Sequence, residues 1–383
     1  MADPLLTPPP TGLPEVPFDE QVAAARAALP ADLPRDLSRV MVALDVDGTL
    51  LTEAGASQRV HQAFGDLVDA GATVVIATGR GLNATREVFD YLEGVRGWSV
   101  SANGALTIDW NPDLPSGYEI ADIIRFEPGP VIDAAQRVLP DAYFAASDVL
   151  PAGHVGALLD SARPQSGDMA RALGSDVPGT SDPTVGTTAT AAPTDSATAD
   201  LNAVADMAAL GVDDGAVRSA RPLNVTDDDL VEIYLLSRTF PPRELHAPLQ
   251  VVPMDILRNT ATTKFVIRQP GMDVPEFQHH IDQMGLDADW EVAVGWTAWA
   301  DVSPKGCTKA SGLLALADKL GIPRDGIVAI GDGTNDVPMF DIAAFSAAMG
   351  GATPAVRARA SHVTGPVEHD GAAAVMRAIL ERD

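Results

Sequence analysis

The sequence predicts an α/β fold built on a doubly wound parallel sheet, with a second, α+β unit inserted into it. Short apolar runs typical of buried strands stop at polar loops in three places: RVMVAL before Asp45, TVVIA before Thr78 and IVAI before Gly331. Helical patterns follow the strands, and a strand–helix–strand order implies parallel strands. Between the second and third runs the pattern becomes antiparallel, so the parallel unit is interrupted and later resumed.

The parallel core is assigned to residues 38–112 and 301–383, and the inserted α+β domain to residues 113–300. In the core, WSVSANGALTID at 98–109 places Asn-Gly between two alternating runs, which predicts a hairpin because both residues tolerate positive φ. The hairpin marks the change from parallel to antiparallel pairing.

Two segments are predicted to be disordered. Residues 1–37 are rich in Pro, Ala and acidic groups and are placed outside the fold, with room for a short helix around Gln21 to Leu29. Residues 150–222, inside the inserted domain, are dominated by Ala, Ser, Thr, Asp, Gly and Pro. Such a segment buries too little apolar surface to offset the entropy of ordering it.

Charge and cysteine content exclude several classes of function. The 383 residues contain 26 Lys and Arg against 53 Asp and Glu, a formal net charge of −27, so nucleic acid and anionic lipid are not expected partners. The single cysteine, Cys307, excludes an internal disulfide and fits a reducing compartment. Without a signal-peptide pattern or a long apolar stretch, a cytoplasmic protein with no membrane partner is expected, and its oligomeric state is left open.

Polar side chains follow the three apolar runs, where the predicted strands end. They are Asp45 and Asp47, Thr78, and Asp332, Asn335 and Asp336. Ligands of an open parallel sheet bind beyond the carboxyl ends of its strands. Carboxylates collected there repel one another unless a cation neutralises them, and oxygen ligands suit Mg²⁺. The sequence therefore predicts a magnesium site at this edge.

Mg²⁺ with carboxylates is common equipment of phosphoryl transfer. Thr78 and Gly79 could offer a hydroxyl and a backbone N–H to a phosphate, and Lys309, at the start of a predicted helix, could offer an ammonium. Asp45 could attack phosphorus and form an aspartyl-phosphate. Asp47 could protonate the leaving oxygen and later activate water.

Four motifs in this order resemble those of the haloacid dehalogenase-like (HAD) hydrolases. They are DVDGTL at 45–50, ATGR at 77–80, PKGCTKASGL at 304–313 and GDGTND at 331–336. Each lies at a predicted strand end or helix start, and the resemblance covers about residues 38–145 and 225–383. It implies a Rossmann-like core interrupted by a cap domain.

The resemblance also implies roles for the acidic residues. Asp45 would be the nucleophile and Asp47 the acid/base. The Asp45 carboxylate, the Asp47 backbone carbonyl and Asp332 would surround Mg²⁺, and Asp336 would act through water or a neighbouring group. In the third motif Gly306-Cys307-Thr308-Lys309-Ala310 aligns with a family pattern of Gly-x-Ser/Asp-Lys-Gly, so Lys309 rather than Lys305 is selected, with Ala310 in place of the usual glycine.

The long insertion between the second and third motifs resembles the large α/β cap of the Cof-type phosphatases, a branch that also includes phosphomannomutases. ANGA at 102–105 is similar to that branch's loop leading to the cap, which makes Asn103, together with Asn335, a candidate substrate- or phosphate-binding residue. In the cap, Trp290, Trp296 and Trp299 are interpreted as core residues, with a sugar-stacking platform as the alternative.

The implied activity is a Mg²⁺-dependent phosphatase that hydrolyses a small, sugar-like phosphorylated metabolite through an aspartyl-phosphate. Two alternatives remain open at this point. A phosphomutase would return the phosphoryl group to the sugar rather than to water. A regulatory protein would bind phosphate without turning it over.

Overall fold

The computed structural model describes residues 12–52, 55–92, 96–114, 116–151, 217–219, 230–238, 245 and 249–382. The strands are β1 (Met41–Leu44), β2 (Thr73–Ala77), β3 (Gly97–Ser101), β4 (Leu106–Trp110), β5 (Tyr118–Arg125), β6 (Tyr143–Pro151), β7 (Val217–Ser219), β8 (Leu230–Leu236), β9 (Leu249–Val251), β10 (Lys264–Arg268), β11 (Trp290–Val294), β12 (Trp299–Pro304), β13 (Ile327–Gly331), β14 (Phe345–Ala348) and β15 (His362–Val363). The helices are α1 (Phe18–Ala28), α2 (Gln58–Asp69), α3 (Leu82–Tyr91), α4 (Gly129–Val138), α5 (Met254–Asn259), α6 (Val274–Gln283), α7 (Lys309–Leu320), α8 (Val337–Ile342), α9 (Pro354–Arg357) and α10 (Gly371–Leu380). The strands form two sheets.

The core sheet has the strand order β15-β14-β13-β1-β2-β3-β4-β5-β7. Pairing is parallel from β15 to β3 and antiparallel from β3 to β7. The chain winds outward in one direction from β1 and in the other from β13, and these two strands are neighbours. The loops that follow β1 and β13 therefore part at a topological switch point, where ligands bind in such sheets. The predicted α/β fold class is confirmed.

Burial on both faces explains why the parallel strands are continuously apolar. In β1, Val42 and Leu44 belong to the same apolar cluster as Phe64 of α2, whereas Met41 and Ala43 belong to another that includes Leu313 of α7. Helices cover the sheet on both sides, and every residue of β1, β13 and β14 is buried. An apolar side chain is consequently favoured at every position.

Helix α1 belongs to the core domain. It packs against α10, burying Val22 and Ala25, and the buried amide of Gln21 donates a hydrogen bond of 3.0 Å to the carbonyl of His369. The prediction that residues 1–37 form a disordered extension outside the fold was wrong for this helix. Its apolar positions lie on one face, as in an amphipathic helix, although the surrounding composition resembles a linker. Residues 1–11 lie outside the described residues.

The predicted hairpin is confirmed: β3 and β4 pair antiparallel around Ala102–Gly104. Ala102, Asn103 and Gly104 have φ values of 49°, 52° and 107°. The left-handed conformation of this turn lets the chain reverse and points Asn103 toward the neighbouring loops. The turn lies beside the carboxyl ends of the parallel strands.

The cap consists of a second sheet in the order β11-β12-β10-β6-β8-β9, covered on one face by α4, α5 and α6. Both predicted domain boundaries were displaced. Strand β5 continues the core sheet by pairing with β4, so the core runs to Arg125 rather than to residue 112. Strand β12 pairs with β10, so the cap runs to Pro304 rather than to residue 300. Domain boundaries placed from sequence composition miss strand pairings that extend past the point where the composition changes.

Most of the predicted disordered segment 150–222 lies outside the described residues; within it, β7 pairs with β5. Among the helices of the described ranges, none combines the length and the apolar character that a membrane crossing requires.

Candidate active site

Three acidic residues meet at the carboxyl ends of β1 and β13. The amide of Asp45 donates a hydrogen bond of 2.9 Å to the carbonyl of Ile330, which extends the pairing of the two strands by one step. Asp332 follows β13 directly, and Asp336 closes the short turn Thr334–Asp336. Carboxylate oxygens of Asp45, Asp332 and Asp336 all lie within 4.8 Å of one another, and all three residues are buried.

Lys309 places an ammonium between two of these carboxylates. It is the first residue of α7, whose start is fixed by a capping box in which the side chains of Thr308 and Ser311 bond each other's backbone N–H. The Lys309 side chain is 0% exposed, and its Nζ donates to Oδ1 of Asp45 and to Oδ1 of Asp336, each at 2.6 Å. The structure thus brings together the lysine that the third motif selects and the acidic cluster.

Asp336 organises the loop after β13. Its Oδ2 accepts hydrogen bonds of 2.8 Å from the amides of Asp332 and Gly333, while its Oδ1 accepts from Lys309. A Cβ at Gly331 would lie 2.4 Å from that Oδ2, so the close approach requires glycine there. Because both oxygens of Asp336 are engaged by protein donors, Asp45 and Asp332 have the oxygens better placed to hold a metal.

The electrostatics of the cluster indicate an excess of negative charge. Burial and the neighbouring Asp336 raise the pKa of Asp45 to about 7, although Lys309 opposes them. Burial and the Asp45 charge raise the pKa of Asp332 well above its usual value. Burial lowers the pKa of Lys309, but the Asp336 and Asp45 carboxylates outweigh it, so the pKa stays above its usual value and the group is an ammonium. One ammonium does not compensate three carboxylates.

A divalent cation fits this arrangement. Asp45 and Asp332 line a cavity, and the ligand atoms of the acidic cluster are carboxylate oxygens, the donor type that Mg²⁺ prefers. Thr49 donates a hydrogen bond of 3.2 Å from its hydroxyl to Oδ1 of Asp332 and orients it. A bound cation would relieve the mutual repulsion of the carboxylates, and this relief favours its binding.

Asp47 lies beside the cluster but its carboxylate turns toward Arg80. The Arg80 guanidinium donates from Nε to Oδ2 at 3.0 Å and from Nη2 to Oδ1 at 2.5 Å, a bidentate pair. Arg80 is buried and lines the same cavity. Its role was not predicted, although it is the last residue of the ATGR motif.

The remaining predicted residues form a polar rim next to Asp45. The hydroxyl of Thr78 accepts from the amide of Arg80 at 3.1 Å, and the Thr78 carbonyl accepts from the amide of Asn103 at 3.0 Å. The side chain of Asn335 donates a hydrogen bond of 3.1 Å to that of Asn103. Gly79 and Asn103 lie side by side, since a Cβ on the glycine would stand 3.3 Å from the amide group of Asn103. The turn after β3 and the loops after β2 and β13 therefore meet.

The cavity, of about 370 Å³, lies between these loops and the open face of the cap sheet. Its cap wall includes Tyr234, Lys264, Trp296, Trp299 and Asp301. The interpretation of the three tryptophans as cap core was wrong for Trp296, which is 39% exposed and lines the cavity, and incomplete for Trp299, which also lines it. Trp296 lies in the β11–β12 turn and Trp299 begins β12. The position of this turn over the site depends on domain packing rather than on local sequence.

A family model for haloacid dehalogenase-like hydrolases matches residues 42–116 and 247–376, more than half of the chain. The protein therefore belongs to this family, and the resemblance that the four motifs indicated, with its Cof-type cap, is confirmed.

Curated relatives match over the parts of the chain that carry the motifs. A phosphoglycolate phosphatase from Methanothrix thermoacetophila is 34% identical over 106 residues, covering 28% of this chain and 46% of the relative. The pyridoxal phosphate phosphatase YbhA of Escherichia coli is 30% identical over 135 residues, covering 34% of this chain and 47% of the relative. The chain thus spans less than half the length of these relatives.

Solved structures match over nearly the whole chain. A haloacid dehalogenase-like hydrolase from B. subtilis superposes with a TM-score of 0.56 at 19% identity, covering 88% of this chain and 98% of that one. BT1666 of Bacteroides thetaiotaomicron, a phosphatase of the same superfamily, gives a TM-score of 0.55 at 19% identity, covering 90% and 97%. At this identity the likeness establishes the fold, including the cap.

Proposed function

We propose that the protein is a Mg²⁺-dependent phosphatase that hydrolyses a small phosphomonoester through an aspartyl-phosphate at Asp45. The observation that carries the proposal is the contact of Lys309 with Asp45 inside a buried cluster with Asp332 and Asp336, at the floor of a cavity closed by the cap. A nucleophile, a fixed ammonium and a cation site are then adjacent. Bound Mg²⁺ would supply positive charge to the phosphate oxygens there.

The reaction assigned to these residues has two halves. An Asp45 oxygen attacks phosphorus, forming a carboxyl–phosphate bond while the bond from phosphorus to the leaving oxygen breaks. Asp47, protonated and released from its pair with Arg80, gives a proton to that oxygen, then takes one from the water that hydrolyses the aspartyl-phosphate. Lys309 balances charge near Asp45, and the loop at Thr78 and Gly79 offers its hydroxyl and N–H groups to the phosphate.

The cavity supports a substrate of metabolite size. Its volume of about 370 Å³ accommodates a phosphate with a leaving group such as a hexose. Trp296 and Trp299 offer apolar faces, while Tyr234 and Asp301 offer hydrogen-bonding groups, a mixture that suits a sugar-like substrate. Release of inorganic phosphate from a panel of sugar phosphates, with and without Mg²⁺, tests the proposal. Formation of an isomer instead of phosphate would identify a mutase.

Replacing Asp332 by Asn should raise the Mg²⁺ concentration that gives half-maximal activity by about tenfold or more, because the site loses one anionic oxygen. The measurement is the initial rate of phosphate release across a Mg²⁺ titration after removal of metal with EDTA. Asp325→Asn is the matched control, since Asp325 is an exposed residue just before β13. An unchanged Mg²⁺ dependence in D332N would show that Asp332 is not a ligand.

Replacing Asp47 by Asn should slow substrates with poor leaving groups about 10²–10⁴-fold, the usual contribution of a general acid. Aryl phosphates, whose leaving oxygen needs no proton, should be affected far less. The measurement compares kcat/KM for a sugar phosphate and for p-nitrophenyl phosphate in wild type and variant. Equal losses on the two substrates would contradict the acid role.

A further inference from the structure

Two buried charged side chains of the cap contact one short stretch of the core, residues 79–83. Glu232 on β8 is 1% exposed, and its Oε2 accepts a hydrogen bond of 2.7 Å from the backbone amide of Asn83. Lys264, the first residue of β10, donates from Nζ to the carbonyl of Gly79 at 2.7 Å. This stretch leads from the proposed phosphate-binding loop into the first turn of α3. The cap therefore holds the loop at both ends.

Helix α3 has no N-cap side chain of its own. Its N-cap is Gly81, and no side chain adjacent in sequence bonds the first-turn amides. Such amides need an acceptor when they are buried, and Ser, Thr, Asp or Asn at the N-cap normally supplies it. Glu232 supplies it from the other domain. Its negative charge also lies at the positive end of the helix, where a carboxylate is stabilising.

Gly81 makes room for Glu232. Its backbone angles, φ −79° and ψ −171°, are open to any residue, so the backbone does not require glycine. A Cβ at this position would lie 1.8 Å from Oε1 and 2.7 Å from Cδ of Glu232. The Glu232 carboxylate is fixed within the cap by a hydrogen bond of 2.9 Å from the hydroxyl of Ser147. The Glu232 carboxylate of the cap therefore occupies the space that a side chain at Gly81 of the core would fill.

We propose that Glu232 is a positioning residue that caps α3 from the cap domain, so that closure of the cap orders the loop carrying Thr78 and Gly79. When the cap opens, Glu232 leaves Asn83 and Lys264 leaves Gly79, and the first turn of α3 loses its acceptor. The effect on catalysis rests on the proposed function, because it requires that this loop bind the substrate phosphate. The ordering of the first turn of α3 by Glu232 does not depend on the proposed function.

The first test is amide hydrogen exchange in the full chain without substrate. Glu232→Ala should speed exchange at the first-turn amides of α3 by about tenfold or more, the effect expected when a capping group is lost. Glu232→Gln should stay near wild type, since its amide oxygen can accept the same bond. Glu119→Ala, at an exposed glutamate on β5, is the control. Unchanged exchange in E232A would overturn the proposal.

The second test uses Gly81. Gly81→Ala alone should speed amide exchange in the first turn of α3, because its Cβ displaces Glu232. In the E232A background, where that clash is gone, Gly81→Ala should cause no further increase in the exchange rate. Gly81→Ser in the E232A background should restore protection, because a serine at the N-cap supplies the missing acceptor within the core. Additive effects of G81A and E232A would contradict a direct fit between the two residues.

Kinetics separate positioning from substrate contact. If Glu232 acts through the phosphate-binding loop, E232A should lower kcat/KM by a similar factor, about tenfold, for sugar and aryl phosphates alike. A loss that depends on the leaving group would instead mean that Glu232, which lines the cavity, touches that group, and the positioning role would be wrong. Another outcome is that the exchange experiments respond as expected while the wild-type protein hydrolyses no phosphomonoester. In that case the proposed function is wrong, but the capping of α3 by Glu232 is still supported.

Discussion

Replacing Asp45 by Asn should reduce phosphate release by about 10⁴-fold or more, because the substitution removes the attacking charge from a covalent mechanism. The fold should survive. Asn has nearly the same volume, and its amide oxygen can still accept the hydrogen bond that Lys309 donates at 2.6 Å. Removing one of three crowded carboxylates relieves repulsion, so the melting temperature should not fall.

Turnover and covalent trapping together check this expectation. Acid quenching during turnover, followed by mass spectrometry of the intact protein, should reveal a phosphorylated species in the wild type and none in D45N. Asp325→Asn, at an exposed site, should behave as wild type in both measurements. Substantial turnover by D45N would mean that water attacks phosphorus directly and that Asp45 serves the metal alone.

The floor of the site could be predicted because it depends on strand pairing. Parallel strands end at the same edge, so two acidic loops that follow β1 and β13 must approach if those strands are neighbours, as the 2.9 Å bond from Asp45 to Ile330 illustrates. Lys309 could be placed by the helix start at Thr308. In each case a residue's position follows from a local element and one pairing.

The contacts that were missed join segments distant in sequence. Gln21 bonds the carbonyl of His369, and nothing near Gln21 identifies α10 as the partner of α1. Glu232 caps a helix that begins at Leu82, so its function depends on how the cap docks. The one local signal was an acidic residue inside the apolar run LVEIYLLS, because a buried carboxylate in a strand needs a partner. The sequence does not say which partner.

Replacing Lys309 by Met should abolish activity and also destabilise the protein. Met has a similar length, but it leaves Asp45 and Asp336 without the ammonium that contacts both at 2.6 Å. Removing one partner of a buried ion pair typically costs about 3–5 kcal/mol, because the remaining charges stay buried and unpaired. The loss in the free energy of unfolding should be far greater than the loss caused by replacing a surface lysine.

Lys305→Met is the matched control for Lys309→Met. Lys305 lies four residues earlier, its side chain is 54% exposed, and it pairs with Glu291 at 3.4 Å. Exposed pairs of this kind contribute about 1 kcal/mol or less, so K305M should keep both its stability and its activity. The comparison also separates the two lysines that the third motif offers. Normal turnover in K309M, or loss of turnover in K305M alone, would reverse the assignment.

The dependence of K309M stability on pH distinguishes lost charge balance from lost packing. A carboxyl whose pKa is raised by folding binds its proton more tightly in the folded state, so stability falls as pH rises through that pKa. Burial and Asp336 already raise the pKa of Asp45 to about 7 in the presence of Lys309. Without the ammonium, the stability deficit should be smallest at acid pH and should grow through neutrality. Thermal unfolding of K309M and wild type measured from pH 5 to 8 checks this, and a deficit that does not vary with pH would indicate a packing defect.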